Sequence, residues 1–206
     1  MANPPMDRGV ENFGVAMYWL PLGARGRWVR LGGKAYEAVA ALLARREPLD
    51  IYHSVLEVHA GEGRFVIEMG PAIDGDHDRR GVVAQGAACF PWAAALRILR
   101  YEIRCWPEGI TAYDFAVDSP LRLTHDAALA ARVLELVHEV PTPVWGRDDL
   151  GAGEMWTCNS LTSWLLGRAD LCDSIRPPVG GRAPGWDAGL TVARRGRTAR
   201  AGQDRG

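Results

Sequence analysis

Lysine is almost missing from this sequence: Lys34 is the only one, and arginine supplies the rest of the 24 basic residues. The 25 acidic residues leave a formal net charge of -1, so no global field draws the chain to nucleic acid or to an anionic membrane. Cysteine is scarce as well. The four are Cys89, Cys105, Cys158 and Cys172; no two form a CxxC, and no Cys/His spacing suits zinc. Long apolar runs are also missing, which excludes a membrane-spanning helix of about 18 residues or more. The opening stretch "MANPPMDRGVENFG" has no apolar core segment, so no signal peptide is expected. A cytoplasmic location with reduced thiols is the default expectation. The acidic turn "IDGDHDRR" (73–80) lacks the ligand order of a calcium loop and reads as a solvated loop. No metal or cofactor is therefore expected, and no nucleic-acid partner.

What remains is the composition of a globular protein, with 48% apolar and 24% charged residues in 206. The reading is one domain over 14–193, with a disordered tail at 1–13 and a disordered arginine-rich tail at 194–206. "VAMYWLPLG" (15–23) predicts a strand, and "KAYEAVAALLARR" (34–46) a helix with Tyr36, Val39, Ala40 and Leu43 on its apolar stripe. "IYHSVLEVHAGEGRFVIEMG" (51–70) predicts a hairpin turning at Ala60–Gly63. Strands are also predicted at 81–88 and 98–106, the second with Arg100, Glu102 and Arg104 on a wet face and Cys105 on the core face. Thr124 is placed to cap a helix over 125–140, which Pro141 ends. A short helix follows at 159–168, with Leu161, Trp164 and Leu165 on one face, and "GLTVAR" (189–194) reads as a last strand. Strands and helices do not alternate regularly, so the fold class is α+β with a mainly antiparallel sheet.

Two places carry candidate chemistry. Cys158 stands at the first turn of the late helix, beside Thr157 as a plausible cap. A thiol attacks as thiolate, and the N–H groups of a helix N-terminus favour that anion. On the hairpin, residues 51, 53, 55, 57 and 59 share one strand face, which carries His53, Glu57 and His59. If His59 pairs with Arg64, Val55 falls opposite Glu68, and Glu68 comes within reach of His53 on that face. A carboxylate beside an imidazole holds the tautomer that a general base needs. Packing roles are the alternative for each: a small buried hydrophobe for Cys158 and a solvated sheet face for the histidines. The loop "PTPVWGRDDLGAGEMW" (141–156) either lines a groove with Trp145 and Trp156 or is a packed connection. His125 and His138, at either end of the 125–140 helix, read as surface residues.

"HSVLEV", a glycine-containing turn, a β-run ending at Gly70 and a later "CNSLTSWLL" together resemble the circularly permuted papain-like cysteine enzymes. By motif this is similar to the PPPDE deubiquitinating and deSUMOylating-type peptidases, whose pattern has a strand His and a later "N-C-N-T-F" opening a helix. The wider set includes the NlpC/P60-like amidases and the lecithin-retinol acyltransferase-like proteins. Thr157 stands where that motif has Asn, and Leu161 where it has an aromatic residue. The resemblance implies a permuted papain-like arrangement, with His53 as base, Cys158 as nucleophile and Glu68 or His59 as the orienting group. It implies the Cys158 amide as one oxyanion donor and Gln85 as a candidate second. Trp145, Trp156, Asn159, Ser160 and His59 would then line the substrate site. The implied activity is a thiol-dependent hydrolase or acyltransferase acting on an amide, isopeptide or thioester of a peptide, protein or small acyl compound. The alternative is a silent domain of the same fold that binds a peptide or protein partner.

Overall fold

The computed structural model describes residues 13–23, 27–72, 81–96, 99–109 and 113–203. It is an α+β fold whose main sheet runs β4-β5-β3-β2-β1-β6, antiparallel throughout, with β7 paired in parallel to the start of β2. The strands are β1 (Gly14–Pro21), β2 (Asp50–Ala60), β3 (Gly63–Pro71), β4 (Val82–Ala87), β5 (Arg100–Pro107), β6 (Val117–Thr124) and β7 (Gly181–Arg182). The helices are α1 (Arg27–Ala44), α2 (Ala127–Leu136), α3 (Cys158–Arg168) and α4 (Trp186–Gln203). None of the described helices is long and apolar enough to cross a membrane.

The sheet's two faces follow from strand alternation. Met17 and Trp19 of β1, Leu56 and Val58 of β2, Ile67 and Met69 of β3, and Tyr101 and Ile103 of β5 all point to the helical side. There they meet Val133, Leu136, Leu161, Trp164, Leu165 and Leu166 in one core. Each large side chain buried in this way contributes roughly 1.5–3 kcal/mol of transfer free energy. The opposite face holds a small cluster of Leu20, Val55 and Val66, with Trp106 and Ala116 packed on it. Cys105 packs against the main core as its alternation predicts, and burial pushes its thiol up to about 11.

Several expectations are corrected. The predicted wet face of β5 is not wet: Glu102 is 0% exposed and Arg104 only 8%. Arg104 donates to Glu102 at 3.1 Å, to Glu68 at 3.3 Å and to the Pro71 carbonyl at 2.8 Å, so the charges are buried as a compensated set. β6 has no counterpart in the sequence reading. It sits at the sheet edge, where Pro120 removes an N–H that no neighbouring strand needs. The cap of α2 is Asp126, not Thr124; its carboxylate accepts from the amides of Ala128 and Leu129. The expected strand at 189–194 and the expected disordered tail from 194 are helical up to Gln203, because both belong to α4. Packing explains the change. A side chain at Gly189 would lie 2.1 Å from the Ser163 hydroxyl, so glycine there lets α4 lie flat on α3. Arg195 and Arg197 then find acceptors in the Leu150 and Gly151 carbonyls and in Asp170. The expected N-terminal tail, Phe13 apart, and the 73–80 turn lie outside the described residues.

Candidate functional site: the cleft between two parting strands

The hairpin has the register the sequence suggests at its turn, with His59 opposite Arg64 and Ala60 opposite Gly63. Its ladder stops at Leu56–Ile67, although β2 begins at Asp50 and β3 runs on to Pro71. β3 stays paired with β5 up to Pro71–Tyr101, and β2 stays paired with β1 up to Tyr52. The two strands therefore part beyond Leu56. The backbone groups of β2 that lose their β3 partners need others. α3 supplies them. The Asn159 amide donates to the Tyr52 carbonyl at 3.0 Å, and the Thr162 hydroxyl donates to the Ser54 carbonyl at 3.4 Å. The Ser54 hydroxyl donates to the Asn159 side-chain oxygen at 2.9 Å.

The first turn of α3 is held as firmly. Thr157 caps it, accepting from the Asn159 amide at 3.1 Å, and the Ser160 hydroxyl accepts from the Thr157 amide at 2.9 Å, which completes a capping box. The Thr157 hydroxyl donates to the Pro184 carbonyl at 2.7 Å and the Ser160 hydroxyl to the Gly185 carbonyl at 2.7 Å. Gly185 has a φ of +85°, and a Cβ there would meet the Thr157 hydroxyl at 2.4 Å. α3 thus buries Asn159, Ser160, Thr162 and Ser163 as well as its apolar residues, each polar group bonded to the sheet or to the α4 side.

This packing sets Cys158 next to the clamp on β2. Asn159 bonds Tyr52 and Ser54, the two residues that flank His53. The backbone neighbourhood of the expected dyad is assembled, but the two side chains are not joined. Among the described residues, no hydrogen bond reaches the His53 ring, from Cys158, Glu68 or His59. Burial lowers the imidazole pKa to about 4. Burial likewise pushes the Cys158 thiol up to about 11, against the pull of the Asn159 and Cys158 N–H groups and the Thr157 hydroxyl. The thiolate expected from the helix N-terminus is not favoured at rest: desolvation outweighs the donors, and burial holds both the Cys158 thiol and the His53 imidazole neutral.

The other expected site residues divide. Glu68 makes no hydrogen bond to His53 among the described residues. Its carboxylate is taken by Arg104, and its charge raises the Cys158 pKa further. His59 bonds Glu57 at 3.0 Å instead, three residue pairs along the hairpin from the end of the ladder. Asn159 and Ser160 are 2% and 0% exposed and spend their polar atoms on the fold, so neither is open to substrate. Trp156 is sealed in the core. Trp145 is exposed, but its backbone pairs with Ala88 next to β4, where it extends the sheet edge. Gln85 is an exposed residue of β4, with β5 and β3 between that strand and β2. The 141–156 loop is a packed connection. Asp148 accepts from the Ala152 and Gly153 amides, Asp149 from the Val144 amide, and Arg195 of α4 ties down Leu150 and Gly151.

The sequence reading missed the strand split and the Asn159 clamp. The only signal was the polarity of "CNSLTS", six residues on a helix that would be apolar if it merely packed on a sheet. No group of three or more candidate metal ligands exists among the described residues. Neither the protein-family models, the curated proteins nor the solved structures contain a match to this chain.

Proposed function

We propose that the end of the hairpin where β2 and β3 part, beside the first turn of α3, is the reaction site of a thiol-dependent hydrolase or acyltransferase, built in a permuted papain-like arrangement. Cys158 is its nucleophile and His53 its general base. The observation that carries this reading is the Asn159 clamp, which bonds both neighbours of His53 from the residue next to Cys158.

The two shifts favour one type of mechanism. A preformed thiolate–imidazolium pair is disfavoured, because the thiol holds its proton to about 11 and the imidazole gains one only near 4. His53 instead takes the thiol proton as the sulfur–carbon bond forms on the acyl carbonyl. The carbonyl oxygen gains the charge and turns to the Cys158 N–H at the start of α3, which already lowers the Cys158 pKa. Collapse breaks the bond to the leaving amine or thiol, which receives the proton from His53. Water or an acceptor amine then attacks the thioester, with His53 again as base, and the thiol is restored. Substrates are an amide, isopeptide or thioester of a peptide, protein or small acyl compound.

The unbonded His53 ring favours a second reading, a silent domain that binds a peptide or protein in the same cleft. Incubation with p-nitrophenyl acetate and with a peptide thioester, read by intact mass and peptide mapping, separates the two. An enzyme gives an acyl adduct on Cys158, absent in Cys158→Ala, and His53→Ala slows its formation at least a hundredfold. Equal acylation of the four cysteines, or a rate that His53→Ala leaves unchanged, overturns the enzyme reading.

A further inference from the structure

At the other end of β2, on the face that His53 shares, lies a second cleft of about 180 Å³. Its floor is β1. Gly14 pairs with His59 and Ala16 with Glu57, so two small residues sit where larger ones would fill the space between β2 and β6. Gly14 is fixed there by its φ of +148° and by the Thr124 carbonyl, 2.3 Å from where a Cβ would be. Tyr18 closes one end, braced edge-on by Tyr113 at 4.6 Å between ring centroids.

The acid and the cation that line this cleft are not paired with each other. Glu57 is its one acid, and it is already satisfied: it accepts from the Tyr113 hydroxyl at 2.6 Å and from Arg64 at 3.0 Å, and it shares a 3.0 Å hydrogen bond with His59. Across β1, Arg122 lines the opposite wall with His125. Arg122 is exposed and has no acidic partner within ion-pair distance among the described residues. Asp126, close by in sequence, spends one carboxylate oxygen on the α2 amides. A guanidinium with free donors, the His125 imidazole beside it and a floor of small residues suit a small anion. The volume slightly exceeds the roughly 150 Å³ of a cavity that holds one benzene.

We propose that this cleft binds a small organic anion, with its carboxylate or phosphate head against Arg122 and the imidazole of His125. Its short apolar body lies on Ala16 between Phe13 and Tyr18. This inference is independent of the thiol cleft.

The test titrates the full chain with benzoate, inorganic phosphate and neutral benzamide, read by amide NMR shifts. Saturable shifts centred on residues 14–18, 57–59 and 122–125 are expected with benzoate. Arg122→Gln should weaken binding at least tenfold, while Cys158→Ser leaves it unchanged. Phosphate competing with benzoate assigns the site to oxyanions in general; benzoate alone assigns it to carboxylates with an apolar body; phosphate alone assigns it to a phosphate head. Benzamide binding as tightly as benzoate, no saturable shift with any probe, or binding unaffected by Arg122→Gln each overturns the proposal.

Discussion

Alkylation of Cys158 against pH tests the electrostatics of the cleft directly. The thiol is raised to about 11 from an ordinary value of 9.0. At pH 7 the thiolate fraction is then about 10⁻⁴, against about 10⁻² for an unperturbed thiol, a deficit of roughly a hundredfold. A more basic thiolate is also a better nucleophile; with a Brønsted slope of about 0.4–0.5, two pKa units return nearly tenfold. The net expectation is alkylation by iodoacetamide about tenfold slower than a free thiol at pH 7. The logarithm of the rate should rise with unit slope from about pH 6 to pH 10. The assay is residue-resolved mass spectrometry of the native chain, with a cysteine peptide as internal standard. His53→Ala should change this resting rate by less than about twofold, because the imidazole is neutral and unbonded. Fast labelling of Cys158 that is flat between pH 5 and 7, and lost in His53→Ala, would refute the reasoning and indicate a preformed ion pair.

Three further predictions concern stability. His53 binds its proton at about 4 in the fold and near 6.5 when unfolded, so between those values the unfolded chain carries more protons. Stability is thus fully present above about pH 6.5 and is lost as pH falls through 4, by on the order of 3 kcal/mol; urea melts of His53→Asn should lack that slope. Asn159→Ala removes bonds to Tyr52, Ser54 and Pro184 and leaves buried polar groups behind. A loss of about 2–4 kcal/mol is expected in the same melts, and Asn159→Asp should not restore it, since a carboxylate cannot donate to two carbonyls. Arg104→Ala strips the buried Glu102 and the part-buried Glu68 of their shared cation and should cost about 3–5 kcal/mol; adding Glu102→Gln should recover part of it in thermal unfolding.

Local pattern alone was enough for much of this molecule. The hairpin turn at Ala60–Gly63, its register at His59–Arg64, the core side of Cys105 and the Thr157 cap of α3 are all written in nearest-neighbour spacing. Strand alternation and capping act over a few residues, so they survive without knowledge of the rest of the chain. Tertiary structure decided the remainder. "RYEIRCW" alternates as a half-wet strand should, yet Glu102 and Arg104 are buried, because β3 and β4 flank it and Glu68 arrives from 36 residues away. "GLTVAR" has strand composition, but Gly189 fits against Ser163 only on a helix surface, and α4 forms there. β2 and β3 part where α3 competes for the Tyr52 and Ser54 carbonyls, more than a hundred residues along the chain. Whether the Cys158 sulfur is an anion depended on that burial as well. The sequence put donors beside it, and only the packing around α3, with Glu68 near, made desolvation the larger effect.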